Sequence, residues 1–237
     1  KPYFIGRKAL AVSLSDIAAC GGKPRYALVS LGLPKDAPLS LALGICRGLF
    51  KLAKKHGVNI VGGDLSRAEE ITLDVSMVGI VKKKQLVLRS GARPGDIIFV
   101  TGALGGSIYG KHLTFIPRLR EAEYLVNNFK PHAMIDISDG LAQDLRHIAE
   151  SSRVGALIYE DLIPVSKQAR GTHDVLYSGE DFELLFTLPP DKARCLLKKK
   201  KAIFSPIGKI VAEKHGFKII DKFNREAALK NKGYRHF

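Results

Sequence analysis

Tryptophan is absent from this 237-residue chain, methionine occurs twice and cysteine only three times. Cys20, Cys46 and Cys195 are odd in number and far apart, with no CxxC pair and no neighbouring histidine at ligand spacing. That pattern points away from a disulfide framework or a zinc site. Buried free thiols in a reducing, cytoplasmic compartment are the expectation. No apolar run approaches the roughly 20 residues that span a bilayer, because stretches such as 96–100 soon meet glycine or charge, and no membrane partner is expected. The opening also lacks the basic-then-apolar layout of a signal peptide, and it starts on Lys1, as a chain beginning mid-protein does. Acidic residues are the minority charge: 23 against 38 Lys and Arg, a net +15. Such a field attracts phosphate-bearing ligands, whether small nucleotides or nucleic acid, without choosing between them. Aromatic poverty beside the basic runs 82–84 and 198–201 argues against nucleic acid and reads those runs as solvated turns and helix ends.

What is present is 46% apolar residues spread along the whole chain, enough for a soluble core without disulfides. The pattern predicts helices from Gly6 to about Cys20 and from a Ser40 cap to about His56, with Gly57 as the stop. It predicts strands at 26–31, at 58–61 (delivering Gly62-Gly63-Asp64 at its end) and at 71–81. The Gly- and Pro-dense 89–96 reads as a loop joining two halves. The boundary is placed there, giving domains 1–94 and 95–237. Beyond it come strands at 97–100, 133–137, 156–159, 183–187, 204–209 and 218–220, with helices near 119–128, 141–150 and 190–198. The fold class is α/β (α+β): two domains, each a sheet faced with helices.

Four segments carry carboxylates in places where surface decoration explains them poorly. Asp16 lies in the otherwise apolar helical stretch Leu14-Ser15-Asp16-Ile17-Ala18-Ala19, where an ionised group is costly unless it is paired or binds a cation. A helix-terminal aspartate bonded to backbone is the open alternative. Asp64 follows Gly62-Gly63, glycines that let a phosphate or metal approach the backbone; taken alone, the motif is better explained as a turn with aspartate as helix cap. In Asp136-Ile137-Ser138-Asp139-Gly140, two carboxylates three residues apart flank a hydroxyl at a strand-to-helix turn, a pattern suited to a metal-phosphate group. The run Gly179-Glu180-Asp181-Phe182-Glu183 places three carboxylates before an apolar strand.

Taken in order, LSDIAA, VGGDLSR, RSGARPGD, VTGALGGS, DISDGLAQDL and SGEDFELLFT resemble the thiamine-monophosphate kinases, within the superfamily that includes aminoimidazole ribonucleotide synthetase. The ending Gly233-Tyr234-Arg235-His236-Phe237 is similar to that family's close. The resemblance implies a two-domain homodimer that transfers the γ-phosphate of ATP directly to thiamine monophosphate with several Mg2+ ions. It implies magnesium ligands at Asp16, Asp64, Asp136 and Asp139, ATP contacts at Gly63, Asp64, Arg89 and Ser138, and contacts to the thiamine moiety at Glu180 and Tyr234. No catalytic residue separate from the metal ligands is implied, because the acceptor phosphate is already ionised. The seven histidines, His132 and His147 among them, are expected to be bystanders. The family's acidic, hydroxyl-bearing segment ahead of the region matching Lys1 is missing from the sequence. Leu65 and Arg47 stand where the family commonly has a hydroxyl and an aromatic residue. The competing readings are a superfamily enzyme with another acceptor and a basic nucleic-acid-binding module.

Overall fold

The computed structural model describes residues 1–199, 203–230 and 232–234. Lys200, Lys201 and the terminal Arg235-His236-Phe237 lie outside the described residues. The first part holds α1 (Pro2–Ala19), β1 (Lys23–Leu33), α2 (Leu39–His56), β2 (Asn59–Arg67) and β3 (Thr72–Ile80). Its three-stranded sheet has the order β2-β1-β3, with β2 parallel and β3 antiparallel to β1. Leu31, Val75 and Met77 on one sheet face meet Leu10, Leu14, Ile45 and Leu49 from α1 and α2. Along β3, exposed and half-buried positions alternate without a break, as a period of two requires of a strand with one covered face.

The second part has β4 (Ile97–Thr101), α3 (Leu119–Asn128), β5 (Ala133–Asp136), α4 (Leu141–Ser152), β6 (Val154–Tyr159), α5 (Thr172–Tyr177), β7 (Leu184–Leu188), α6 (Pro190–Lys198), β8 (Phe204–Ala212), β9 (Phe217–Ile220) and β10 (Glu226–Ala228). Its seven-stranded sheet runs β10-β9-β6-β8-β4-β7-β5. Both faces are covered at the centre. Ile98, Val100 and Leu185 pack against Leu141, Leu145 and Ile148 of α4, while Phe99, Phe186 and Met134 pack against Leu125, Ala193 and Leu196 of α3 and α6. Ala18 and Ala19 at the end of α1 belong to this second cluster, so the first helix is wedged into both halves.

Several elements differ from expectation. α1 begins four residues earlier, because Pro2 fills a first-turn position where its missing N–H costs nothing. Ser40 is inside α2; the residue before that helix is Pro38, and Gly57 closes it at φ 66° as expected. α5 and β10, six and three residues long, carry too little periodicity to be read from sequence. Gly62-Gly63-Asp64 does not end a strand: β2 runs through it to Arg67. A Cβ on Gly63 would lie 1.8 Å from the Val29 carbonyl oxygen. The missing side chain at this position therefore serves close pairing with β1, at a φ of 151° that other residues rarely adopt. The thiols are free as expected but not buried: Cys20 and Cys195 are exposed and Cys46 is half-buried.

A candidate carboxylate site between the two halves

β5 ends in Asp136, which is buried with 5% exposure. Its Oδ2 accepts a hydrogen bond from the Ser15 hydroxyl of α1 at 2.6 Å, so a helix of the first half holds the carboxylate of the second. Burial pushes Asp136 up to about 6; the Ser15 hydroxyl opposes the shift, and the like charges of Asp16 and Asp139 add to it. Asp16 is the next residue along α1 but points to the open side of the helix and is exposed, in contrast to the buried setting its apolar neighbours imply. Surrounding protein raises its carboxyl and the Arg89 guanidinium lowers it. That exposure limits what the shift costs. Asp16, Asp136 and Arg89 are thus brought together, and the Cys20 thiol at the end of α1 feels all three.

Past the strand the chain turns through Ser138 and Asp139 into α4. Asp144, on the first turn of α4, is buried, and its Oδ2 accepts the backbone N–H groups of Asp139 and Gly140, each at 3.1 Å. Burial, then Asp139 and Asp136, push Asp144 up to about 8. Oxygens of Asp139 and Asp144 and a ring nitrogen of His147 all lie within 4.8 Å of one another. His147 stands beside this pair, its Nε2 4.0 Å from Asp139 and 3.3 Å from the Gln143 amide nitrogen. His132 also has a partner, with Nδ1 2.9 Å from buried Asp96. The tail closes over the same turn, where the Tyr234 N–H donates to the Asp139 carbonyl at 3.1 Å and the ring is exposed.

The Glu180 segment packs on this wall. The Glu180 N–H donates to the Ser138 carbonyl at 2.8 Å and the Phe182 N–H to the Ile137 carbonyl at 2.8 Å. Glu180 itself is half-buried and ion-paired with Lys8. Asp181 and Glu183 turn inward. Asp181 accepts from the Ser107 hydroxyl and the Gly105 N–H, and burial pushes it up to about 6. Glu183 takes Arg118 through two bonds of 2.6 and 2.7 Å, Lys111 at 3.0 Å and the Thr101 hydroxyl at 2.7 Å.

Asp64 stands apart. It is exposed on β2 opposite Ser30, with Asp74 across Ser30 on the other side. Among the described residues no hydrogen bond or ion pair joins it to Asp16, Asp136 or Asp139. Lys8, Ser15 and Asp144 were not singled out from the sequence, and His147 was named only as a bystander. Spacing held a signal for three of them: Ser15 adjoins Asp16, and Asp144 and His147 are three apart on one helix face.

Two α/β layers with a carboxylate-lined junction, bridged by a helix from one into the other, define the structural class. The chain belongs to the AIR synthase related protein family, whose N-terminal domain model matches residues 1–81 and whose C-terminal domain model matches residues 93–221. Its relatives include the thiamine-monophosphate kinase of Bacillus subtilis, 38% identical across 100% of this chain and 82% of that protein. Another is the thiamine-monophosphate kinase of Rhodopirellula baltica, 41% identical across 80% of this chain and 62% of its own length. Among solved structures, AaThiL complexed with AMPPCP and TMP superposes with a TM-score of 0.87 at 29% identity, covering 100% of this chain and 81% of that one. Hydrogenase maturation protein HypE shares the fold, with a TM-score of 0.84 at 21% identity.

Proposed function

We propose that this protein phosphorylates thiamine monophosphate with ATP, giving thiamine diphosphate and ADP by direct magnesium-assisted transfer. The observation that carries the reading is Asp136, a buried carboxylate held across the two halves by Ser15 and faced by two more carboxylates. Three carboxylates raise one another's cost unless a cation joins them. Asp16, Asp136 and Asp139, which raise one another's charge cost, offer only oxygen, the donor that magnesium, a hard ion, prefers. Asp64 completes the ligand set we assign, and Gly63, Asp64, Arg89 and Ser138 form the ATP contacts. Bound magnesium would offset the charge of the phosphates. The chain's own part is to position: Arg89, beside Asp16, would face the nucleotide phosphates, and the strand-to-helix turn would offer them the Ser138 hydroxyl. Glu180 and the exposed Tyr234 ring hold the cationic acceptor. Support for substrate and co-substrate comes from the kinase relatives and from the TMP and AMPPCP of the AaThiL complex. The test is ATP consumption with a panel of phosphate and carboxylate acceptors. Magnesium-dependent ADP release with thiamine monophosphate alone is expected; turnover of a different acceptor in its place would overturn the reading.

The same reading assigns residues 1–94 to an ATP-binding and dimerising domain and residues 95–237 to the second α/β domain. The two family models meet between residues 81 and 93, which supports that division. A second copy of this chain fits the outer face of the three-stranded sheet, where Tyr26, Leu28, Val78 and Ile80 are 49%, 50%, 61% and 53% exposed. Tyr26 and Val78 are direct cross-strand partners, so these side chains form one apolar patch. Sedimentation should find a homodimer that Leu28→Lys with Val78→Lys converts to monomer. A monomeric wild type would remove this assignment. The unpaired thiols support a cytoplasmic location.

A further inference from the structure

Lys8 has no part in the reading above, which engages Glu180 alone. It stands on α1, and its ammonium donates to Glu180 Oε2 across the junction of the two halves. Among the described residues neither side chain makes another hydrogen bond or ion pair. Both are partly open to solvent, at 28% and 30% exposure, so a ligand can reach either charge. An ion pair this exposed contributes little to stability. The backbone beneath it is nevertheless held in an uncommon form: Glu180 and Phe182, neither of them glycine, take φ of 61° and 49°. Such conformations persist only where the surroundings enforce them. Here the enforcing contacts are the hydrogen bonds to Ser138 and Ile137 and the stacking of Phe182 on Phe115 at 4.2 Å. The strain sends Asp181 and Glu183 inward and leaves Glu180 turned toward α1.

On α1, Lys8 and Ser15 are seven residues apart and share a helix face, about 10 Å along the axis. Ser15 is bonded to Asp136. One rigid helix face therefore carries an ammonium beside Glu180 and a hydroxyl on the Asp136 wall.

We propose that Lys8 recognises the phosphate of the acceptor: the Lys8–Glu180 pair opens on a zwitterionic ligand, Glu180 taking its cationic end and Lys8 its phosphate. This inference rests on thiamine monophosphate being the acceptor. In the free protein each charge neutralises the other. A ligand carrying both charges replaces both halves of the pair, whereas one carrying only the cation strands the ammonium without a partner. The pair thus selects the phosphorylated molecule over the alcohol.

The test is equilibrium binding of thiamine monophosphate and of thiamine by calorimetry, on the full-length protein with magnesium and without nucleotide. Wild type is expected to prefer the monophosphate by about tenfold to a hundredfold, the worth of a charge-assisted hydrogen bond to phosphate. Lys8→Met should lose that preference while thiamine binds as tightly as to wild type or more tightly, since no ammonium is stranded, and Lys8→Arg should recover most of it. Glu180→Gln, a second variant independent of how Lys8→Met folds, should weaken thiamine and keep or enlarge the preference. Retained preference in Lys8→Met, an equal loss for both ligands, or a loss of preference in Glu180→Gln overturns the inference and leaves the kinase reading standing. A wild type that binds neither ligand overturns both.

Discussion

Asp136→Asn should lower kcat/KM by about a thousandfold or more, because it removes the buried charge that the proposed magnesium requires while leaving the shape of the site intact. The carboxamide oxygen can still accept the Ser15 hydroxyl now bonded at 2.6 Å. The same variant should be more stable than wild type when metal is chelated. Asp136 is raised from 3.8 to about 6 in the folded protein, so between those values the native state binds more protons than the unfolded chain. Its contribution to stability is therefore full below pH 4 and is lost as pH rises through 6. At 1.36 kcal/mol per unit the loss amounts to roughly 3 kcal/mol at pH 8. Metal-free Asp136→Asn avoids that loss, and its advantage in denaturant melts should shrink toward zero near pH 4. A variant with wild-type turnover would contradict the metal assignment; one less stable than wild type at pH 8 would contradict the electrostatic account.

Glu183→Ala should be the most destabilising single change outside the site. Glu183 is 1% exposed and anchors Arg118, Lys111 and the Thr101 hydroxyl. Truncation leaves Lys111 without its counter-charge and Arg118 with only Glu121 at 3.6 Å, and breaking a buried pair costs about 3–5 kcal/mol. For a chain of this size that corresponds to a Tm lower by roughly 10 °C. Glu183→Gln keeps hydrogen-bond acceptance and loses the charge, so it should fall between the two. Melting temperatures of the three proteins decide the matter, and a Glu183→Ala within 2 °C of wild type, roughly 1 kcal/mol or less, would show the network to be dispensable.

Glu183 also shows where sequence reading stops. Three carboxylates in Glu180-Asp181-Phe182-Glu183 look alike in one dimension, and turns or caps account for one of them. The backbone separates them: positive φ at Glu180 and Phe182 points Glu180 outward and the other two into a cation-lined interior. Arg118 and Lys111, the partners that make this burial tolerable, lie about seventy residues earlier. His132 was unreadable for the same reason, since its partner Asp96 lies 36 residues earlier, just ahead of β4. Asp64 shows the converse. Its glycines look like a phosphate-approach turn, yet Gly63 is needed by the neighbouring strand, where a Cβ would meet the Val29 carbonyl.

The sequence by itself determined the two-layer α/β class, most of the strands and long helices, and the ordered motifs that place the chain among its relatives. These follow from local periodicity, turn chemistry and residue order, all of which are written along the chain. Only the tertiary structure decided which carboxylates are buried, that Ser15 reaches Asp136, and that Lys8 meets Glu180. Those contacts join residues more than a hundred positions apart, and their energies depend on the burial and neighbouring charge that folding creates.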